Sequence, residues 1–206
     1  MQPDFHTAQI TATKLLLKQN INSLHIDVRN FKFDKNIVID SVQNYAKIVK
    51  KNISLFTTKE FNGCCVIKIP EYDLNIILYD EREINEERKH WGIAHEIGHI
   101  YLNHIQDGTK EEIEAHYFAA QLITPEIALL YFTQANKGHL CSEDIYSYFN
   151  CSIDSARKRI KTLSSYTWSY NDYDKLLLCK FKPIINNLFN SKKDFYEHRV
   201  VPKFEY

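Results

Sequence analysis

The chain has 206 residues, of which 44% are hydrophobic, enough to bury one good core with a small appendage. Lysine plus arginine and aspartate plus glutamate number 26 each, so the net charge gives no overall attraction to nucleic acid or to an anionic membrane. The five cysteines form no C-x-x-C pair, which disfavours a disulfide framework and a cysteine zinc site. The chain starts without a signal-peptide pattern and has no apolar run near the roughly 18 residues of a membrane span, which predicts a soluble, cytoplasmic protein without membrane contact.

The first part of the chain is predicted to form a helix, a strand and a hairpin. Apolar residues recur at helical spacing from Asp4 to Lys18, with Asp4 as the N-cap. The run IVIDSV indicates a strand, and NYAKIVKKN indicates the end of another helix. The runs FNGCCVIKI and LNIILYD, separated by turn residues, predict a β-hairpin. An exposed edge of this hairpin would accept a peptide substrate as an added strand, although an ordinary pair of sheet strands explains the pattern equally well.

The next segment is predicted to be a helix, from about Ile84 to Leu102, that carries an H-E-x-x-H motif. Because a helix turns about 100° per residue, His95 and His99 share one face and reach a single metal ion, with Glu96 beside it. Zn²⁺ suits two imidazoles and a carboxylate with one position left open for a water whose pKa falls to about 7. A neighbouring carboxylate takes that proton, which is the chemistry of a metallopeptidase. The alternative is a solvated helix that carries two ordinary histidines.

A second helix follows and ends before Pro125, where a further helix begins. Its sequence, EEIEAHYFAAQLITP, offers three candidates for the third metal ligand: Glu111, Glu112 and Glu114. A helical wheel does not choose among them, because each has apolar partners at i+4 or i+8. The small alanines of this helix would let it approach the metal helix closely. Gly98 in the metal helix indicates that another element or the substrate backbone approaches closely there, with packing favoured, since glycine otherwise costs a helix about 1 kcal/mol.

The C-terminal part is predicted to contain two short helices between Ser142 and Leu163, the second capped by Ser152 or Asp154. The rest of the chain, from Ser164, is rich in aromatic residues that need burial on the core or against a partner. We therefore predict a catalytic domain over residues 1–137 and a C-terminal helical, helix-turn-helix-like region over residues 138–206. The second short helix is a DNA-recognition helix or a solvated basic face, and its cations are Arg157, Lys158, Arg159 and Lys161.

Two segments, RKHWGIAHEIGHIYLNH and EIEAHYFAAQLITP, resemble the ImmA/IrrE family of metallo-endopeptidases. The family pattern is an aromatic-containing lead-in to AHE-x-GH, followed by E-A-N-x-F-A-A-x-L-L-x-P. The resemblance extends from about Asp4 to Leu163. It implies an α+β, zincin-like fold that is mostly helical, with a small antiparallel sheet beside the HExxH helix and a C-terminal helical extension.

The resemblance also implies roles for individual residues. His95 and His99 become zinc ligands, Glu96 the general base, and Glu114 the third ligand, because Glu114 and the alanine after it align with the E-A pair of the family. His116 stands where the family often has asparagine and would alter metal selectivity or contacts behind the ligands. A metzincin-type site would continue the motif with a glycine and a third histidine, but this sequence has Leu102 and Ile105 at those positions.

The function implied by the resemblance is that of a zinc-dependent endopeptidase cleaving a protein regulator such as a DNA-binding repressor, by Glu96-assisted attack of zinc-bound water. One alternative is a regulatory protein with an idle zinc site that binds DNA or a repressor through its C-terminal region. Another is a closed structural zinc site with a fourth ligand from His90, His104 or His116. The candidates for stabilising the oxyanion are His104, Tyr101 and Tyr117.

Overall fold

The structure is a computed structural model that describes residues 2–57, 61, 63–105, 108–164 and 171–197, with the side chains of residues 191–197 excluded. Within these residues the chain forms eight α-helices and three strands. Their bounds are α1 (Phe5–Leu17), β1 (Asn36–Ser41), α2 (Val42–Ile48), β2 (Cys64–Ile69), β3 (Leu74–Tyr79), α3 (Glu86–Tyr101), α4 (Thr109–Ile123), α5 (Glu126–Ala135), α6 (Ser142–Tyr148), α7 (Ile153–Leu163) and α8 (Asp172–Glu197).

The opening helix forms as its sequence pattern predicts. The Asp4 side chain accepts a hydrogen bond of 3.0 Å from the Thr7 amide and so caps α1. One face of α1 is fully buried and joins the main core. That face consists of Ala8, Ala12, Leu15 and Leu16.

The sheet has the strand order β1-β3-β2. Strands β2 and β3 pair antiparallel, with Cys64 opposite Tyr79 and Ile69 opposite Leu74, which confirms the predicted hairpin. Strand β1 runs parallel to β3, so the sheet is mixed and not antiparallel as predicted. The reason lies in the connection between the two strands. After β1 the chain passes through α2 and β2, so that β3 enters the sheet in the same direction as β1. This leaves β2 as one edge of the described sheet, next to α3.

Helices α3 and α4 pack closely at Gly98. A Cβ atom at this position would lie 3.2 Å from the Cα atom of Ala115 and 3.2 Å from the ring of Phe118. The predicted close approach at Gly98 is therefore confirmed, and it is a contact between helices. Because this contact fixes how the two helices face each other, it positions the side chains that α4 presents to the H-E-x-x-H motif.

The C-terminal part packs on the core. Helices α6 and α7 form the predicted pair, and Ser152 caps α7 by accepting a hydrogen bond from the Ser155 amide. Helix α8, which the sequence presented only as an aromatic tail, is 26 residues long. Its buried side chains Leu177, Phe181 and Ile185 belong to the same hydrophobic cluster as the buried residues of α1, α3 and α5.

The division at residues 137 and 138 stays a prediction. Several aromatic residues of the tail lie outside the described residues, namely Tyr166, Trp168, Tyr170, Phe204 and Tyr206.

Among the described residues, no helix combines the length and the apolar character needed to cross a membrane.

Candidate metal centre

Three side chains from two helices converge on one point. The Nε2 atoms of His95 and His99 lie 3.0 Å apart. The carboxylate of Glu112 faces both rings, with one oxygen 3.3 Å from His95 Nε2 and the other 3.2 Å from His99 Nε2. Within the described part of the chain, these three residues are the group whose donor atoms lie close enough to share a metal ion.

The local sequence explains this convergence. His95 and His99 are one turn apart on α3, so their rings project from the same face. Glu112 lies in the first turn of α4, where the helix dipole favours a negative charge. The side chains of both histidines are nearly buried, whereas that of Glu112 is 43% exposed, so the group is open to solvent on the glutamate side.

The structure does not bring Glu114 to this group, and Glu112 takes the place that the resemblance gave to Glu114. One Glu114 oxygen accepts a hydrogen bond of 2.6 Å from the Asp4 amide, and the other lies 3.1 Å from His104 Nε2. The physical reason is helix geometry. Side chains two positions apart on an α-helix point in directions about 200° apart, so Glu112 and Glu114 face different sides of α4. Alignment on the E-A pair does not reveal which glutamate faces α3, and the helical wheel had left Glu112 among the candidates.

The donor set fits a tetrahedral divalent ion. Bonds of about 2.0 to 2.1 Å place the ligand atoms of a tetrahedral zinc site about 3.3 Å apart. The separations of 3.0, 3.2 and 3.3 Å among His95, His99 and Glu112 agree with that value. Burial, followed by the neighbouring imidazoles, lowers the pKa of His95 to about 3, so this ring is neutral and keeps a lone pair for a metal.

A buried chain of hydrogen bonds lies behind His99. Its Nδ1 atom is 3.1 Å from Nδ1 of His104, and Nε2 of His104 is 3.1 Å from Glu114. When His99 keeps its Nε2 lone pair for a metal, its Nδ1–H donates to His104, whose Nε2–H then donates to Glu114. Burial raises the pKa of Glu114, but hydrogen bonds from Asp4 and His104 and the charge of Lys110 lower it by more. The net result is a pKa below the ordinary value of a glutamate. Glu114 is therefore a carboxylate at neutral pH.

His95 lacks a comparable partner. Its Nδ1 atom is buried and has no hydrogen-bond partner among the described residues. The exposed ring of His116 lies beside it, with ring centroids 4.3 Å apart. His116 is one turn after Glu112 on α4, so it stands at the solvent-facing edge of the metal group.

Glu96 follows His95 on α3 and lies close to the first residues of the edge strand β2. Burial, and then the negative charge of Glu96, raises the pKa of Cys65 to about 11 and raises that of Cys64 well above its ordinary value. Both thiols are therefore protonated at neutral pH and are poor metal ligands. Glu96 itself is half-buried. Glu96 is thus next to a metal-group histidine in the chain and close enough to the start of β2 to act electrostatically on its cysteines.

Other residues singled out in the sequence have partners elsewhere. The Tyr101 hydroxyl donates to Asp34 over 2.6 Å, and the Tyr117 hydroxyl donates to Glu126 over 2.9 Å. His90 Nε2 accepts a hydrogen bond of 3.0 Å from a backbone amide, and burial lowers the pKa of this neutral ring to about 4. These contacts place His90 and Tyr101 in structural roles away from the metal group.

Arg159, one of the four cations of α7, is buried. Its guanidinium donates to the Thr124 carbonyl, to Glu126 over 3.1 Å and to Gln121 over 3.0 Å. Its side chain is only 4% exposed, so it does not belong to a solvated basic face. These bonds fix helix α7 to the end of α4 and to the start of α5.

Replacing Arg159 by lysine is expected to lower the free energy of unfolding by about 1 to 3 kcal/mol, because an ammonium cannot reproduce the forked set of bonds. Chemical denaturation would measure the difference. Arg157→Lys is the matched control, since the side chain of Arg157 is 63% exposed and its ion pair with Asp154 should contribute less than about 1 kcal/mol. Equal effects of the two substitutions would contradict the prediction.

The H-E-x-x-H helix, packed on a small sheet with an edge strand beside it, defines an α+β, zincin-like protein. The sequence model of Peptidase_M78, the IrrE N-terminal-like domain, matches residues 46–161, and the chain belongs to this metallopeptidase family. The match includes most of α7 and crosses the predicted division at residues 137 and 138. No match was found among curated proteins or among solved structures.

Proposed function

We propose that the protein is a zinc-dependent endopeptidase that cleaves a protein regulator such as a DNA-binding repressor. The observation that carries the proposal is the convergence of His95, His99 and Glu112, with Glu96 next to them on α3. Membership of the Peptidase_M78 family supports peptide-bond hydrolysis. The choice of a regulator as substrate rests on the resemblance to the ImmA/IrrE family.

Each residue of the site has a distinct task in this proposal. His95, His99 and Glu112 would hold the ion. A bound zinc ion polarises a carbonyl group and lowers the pKa of a water molecule to about 7. Glu96 would accept the proton of the attacking water and pass it to the departing amine. The edge strand β2 would bind the peptide backbone as an added strand, which brings the peptide next to Glu96.

Glu114 and His104 support the site without touching the ion. The hydrogen bonds from His99 to His104 and from His104 to Glu114 fix the orientation and tautomer of the His99 ring. They also connect the metal group to the N-cap of α1, because the Asp4 amide donates to Glu114. Removing such a partner typically lowers metal affinity about 10- to 100-fold.

A second candidate function is a regulatory protein with an idle metal site that binds DNA or a repressor through its C-terminal region. Three cations of α7 are exposed and favour an acidic partner: Arg157, Lys158 and Lys161.

A chelator experiment tests the proposal. The zinc-loaded protein should cut candidate repressors, chelation should stop the cutting, and added zinc should restore it, because the reaction needs the ion. Gel analysis of the repressors would measure cleavage, and retention of DNA at increasing salt would be measured in parallel. Salt-sensitive binding without any metal-dependent cut would contradict the proposal and favour the regulatory protein.

A further inference from the structure

A large cavity lies between helices α1, α3, α4 and α7. Its volume is about 1100 Å³, above the range of about 300 to 1000 Å³ typical of ligand pockets. Residues from the first two turns of α1, the first half of α3, one face of α4, the start of α5 and one face of α7 line it. Sequence patterns do not reveal this cavity, because it forms between helices that are distant along the chain.

The cavity opens directly beside the metal group. Trp91 lines it and lies one turn before His95 on α3, while His116 lines it and lies one turn after Glu112 on α4. The Trp91 and His116 rings are stacked with centroids 6.3 Å apart, and the His116 ring is 4.3 Å from that of His95. A peptide held at the metal group would therefore place a neighbouring side chain at the cavity mouth.

Large apolar side chains form part of the cavity wall. Phe5 is 45% exposed and Ile113 is 40% exposed, and both line the cavity. The Phe5 ring packs on Tyr117 with centroids 5.0 Å apart. Ile113, Tyr117 and Ala120 follow one another at the i, i+4, i+7 spacing of one helix face. Apolar surface gathered around a cavity is typical of a binding site.

One buried charged pair in the cavity lining already has its hydrogen-bond partners within the protein. Arg159 and Glu126 bond to each other, and both side chains are less than 5% exposed. Arg159 also donates to the Thr124 carbonyl. A ligand carrying a charge would have to disrupt these bonds, whereas an apolar group would not. This buried pair therefore offers no free charge to an occupant, whereas the charged lining residues Arg88 and Lys158 are solvent-exposed.

We propose that this cavity receives a large apolar side chain, aromatic or long aliphatic, of the peptide substrate next to the bond that is cut. The proposal rests on the proposed peptidase function and names its substrate preference. Burial of such a side chain between Trp91, Ile113 and Tyr117 would favour substrates that carry it over substrates with a small residue there. Helix α7 then contributes a wall of the substrate site.

A random-sequence synthetic peptide library tests the proposal. Cleavage positions mapped by mass spectrometry should show a large apolar residue at one position beside the cut bond. Ala120→Phe, which narrows the cavity, should reduce cleavage of those peptides about 10- to 100-fold relative to cleavage of peptides with a small residue there, with zinc content unchanged. Ile113→Ala should weaken the same preference. Ile48→Ala is its matched control, because Ile48 is exposed on α2 and does not line the cavity.

A binding measurement separates this proposal from the peptidase function. The chain has two tryptophans, so Trp168→Phe leaves Trp91 as the single reporter in the cavity. N-acetylphenylalaninamide should change the Trp91 emission, and N-acetylalaninamide should not. If no library peptide is cut but this change occurs and disappears with Ala120→Phe, the cavity assignment stands and the peptidase function fails. An unchanged cleavage preference in Ala120→Phe, or no cleavage together with no emission change, would overturn the cavity assignment.

Discussion

Glu112→Gln is expected to lower zinc affinity by more than about 100-fold. This loss exceeds the one typical of removing a residue that only hydrogen-bonds to a metal ligand. The physical reason is that the substitution removes the charged oxygen donor that faces both His95 and His99 at 3.2 to 3.3 Å. The neutral amide that replaces it is a weaker ligand for a divalent ion. Titration against a competing chelator would measure the affinity, with circular dichroism to verify the fold.

Two neighbouring glutamates make this prediction specific. Glu114→Ala should have a smaller effect of about 10- to 100-fold, because Glu114 acts on His99 only through His104. Glu111→Gln is the matched control on the same helix turn and should bind zinc as the unmodified protein does. A greater loss of zinc affinity in Glu114→Ala than in Glu112→Gln would restore the assignment that the resemblance implied and contradict the geometry described above.

Glu96→Gln is expected to reduce the rate of cleavage by about 10²- to 10⁴-fold, the usual contribution of a general base. Glutamine has nearly the same shape as glutamate but does not accept the proton of the attacking water at neutral pH. Zinc affinity and the fold should be retained, since Glu96 is not among the three converging donors. Initial rates on a substrate that the unmodified protein is found to cleave, with zinc content measured on the same samples, would test this expectation.

Glu81→Gln provides the control for this substitution, because Glu81 is an exposed residue that precedes α3. Its rate should equal that of the unmodified protein. Full activity in Glu96→Gln would remove Glu96 from the mechanism. A loss of activity accompanied by a loss of zinc would show that Glu96 acts on metal binding and not on the proton.

The parts of the fold that sequence reasoning predicted are those with a strong local pattern. The Asp4 cap, the hairpin and the two short C-terminal helices depend on residues close together in the chain. The parallel pairing of β1 with β3 was missed because it joins segments about 38 residues apart, and periodicity carries no information on such pairing. The burial of α8 on the core was also missed, because amphipathic spacing does not name the surface that a helix covers.

The sequence by itself determined that His95 and His99 share a helix face with Glu96 beside them, because helix geometry fixes the directions of residues one to four positions apart. Only the tertiary structure decided that Glu112 and not Glu114 faces this group. That choice depends on the rotation of α4 about its own axis, which the contact of Gly98 with Ala115 and Phe118 sets between two helices. The cavity beside the site likewise depends on how helices pack against each other. Several helices enclose it, so the sequence pattern of a single helix does not predict it.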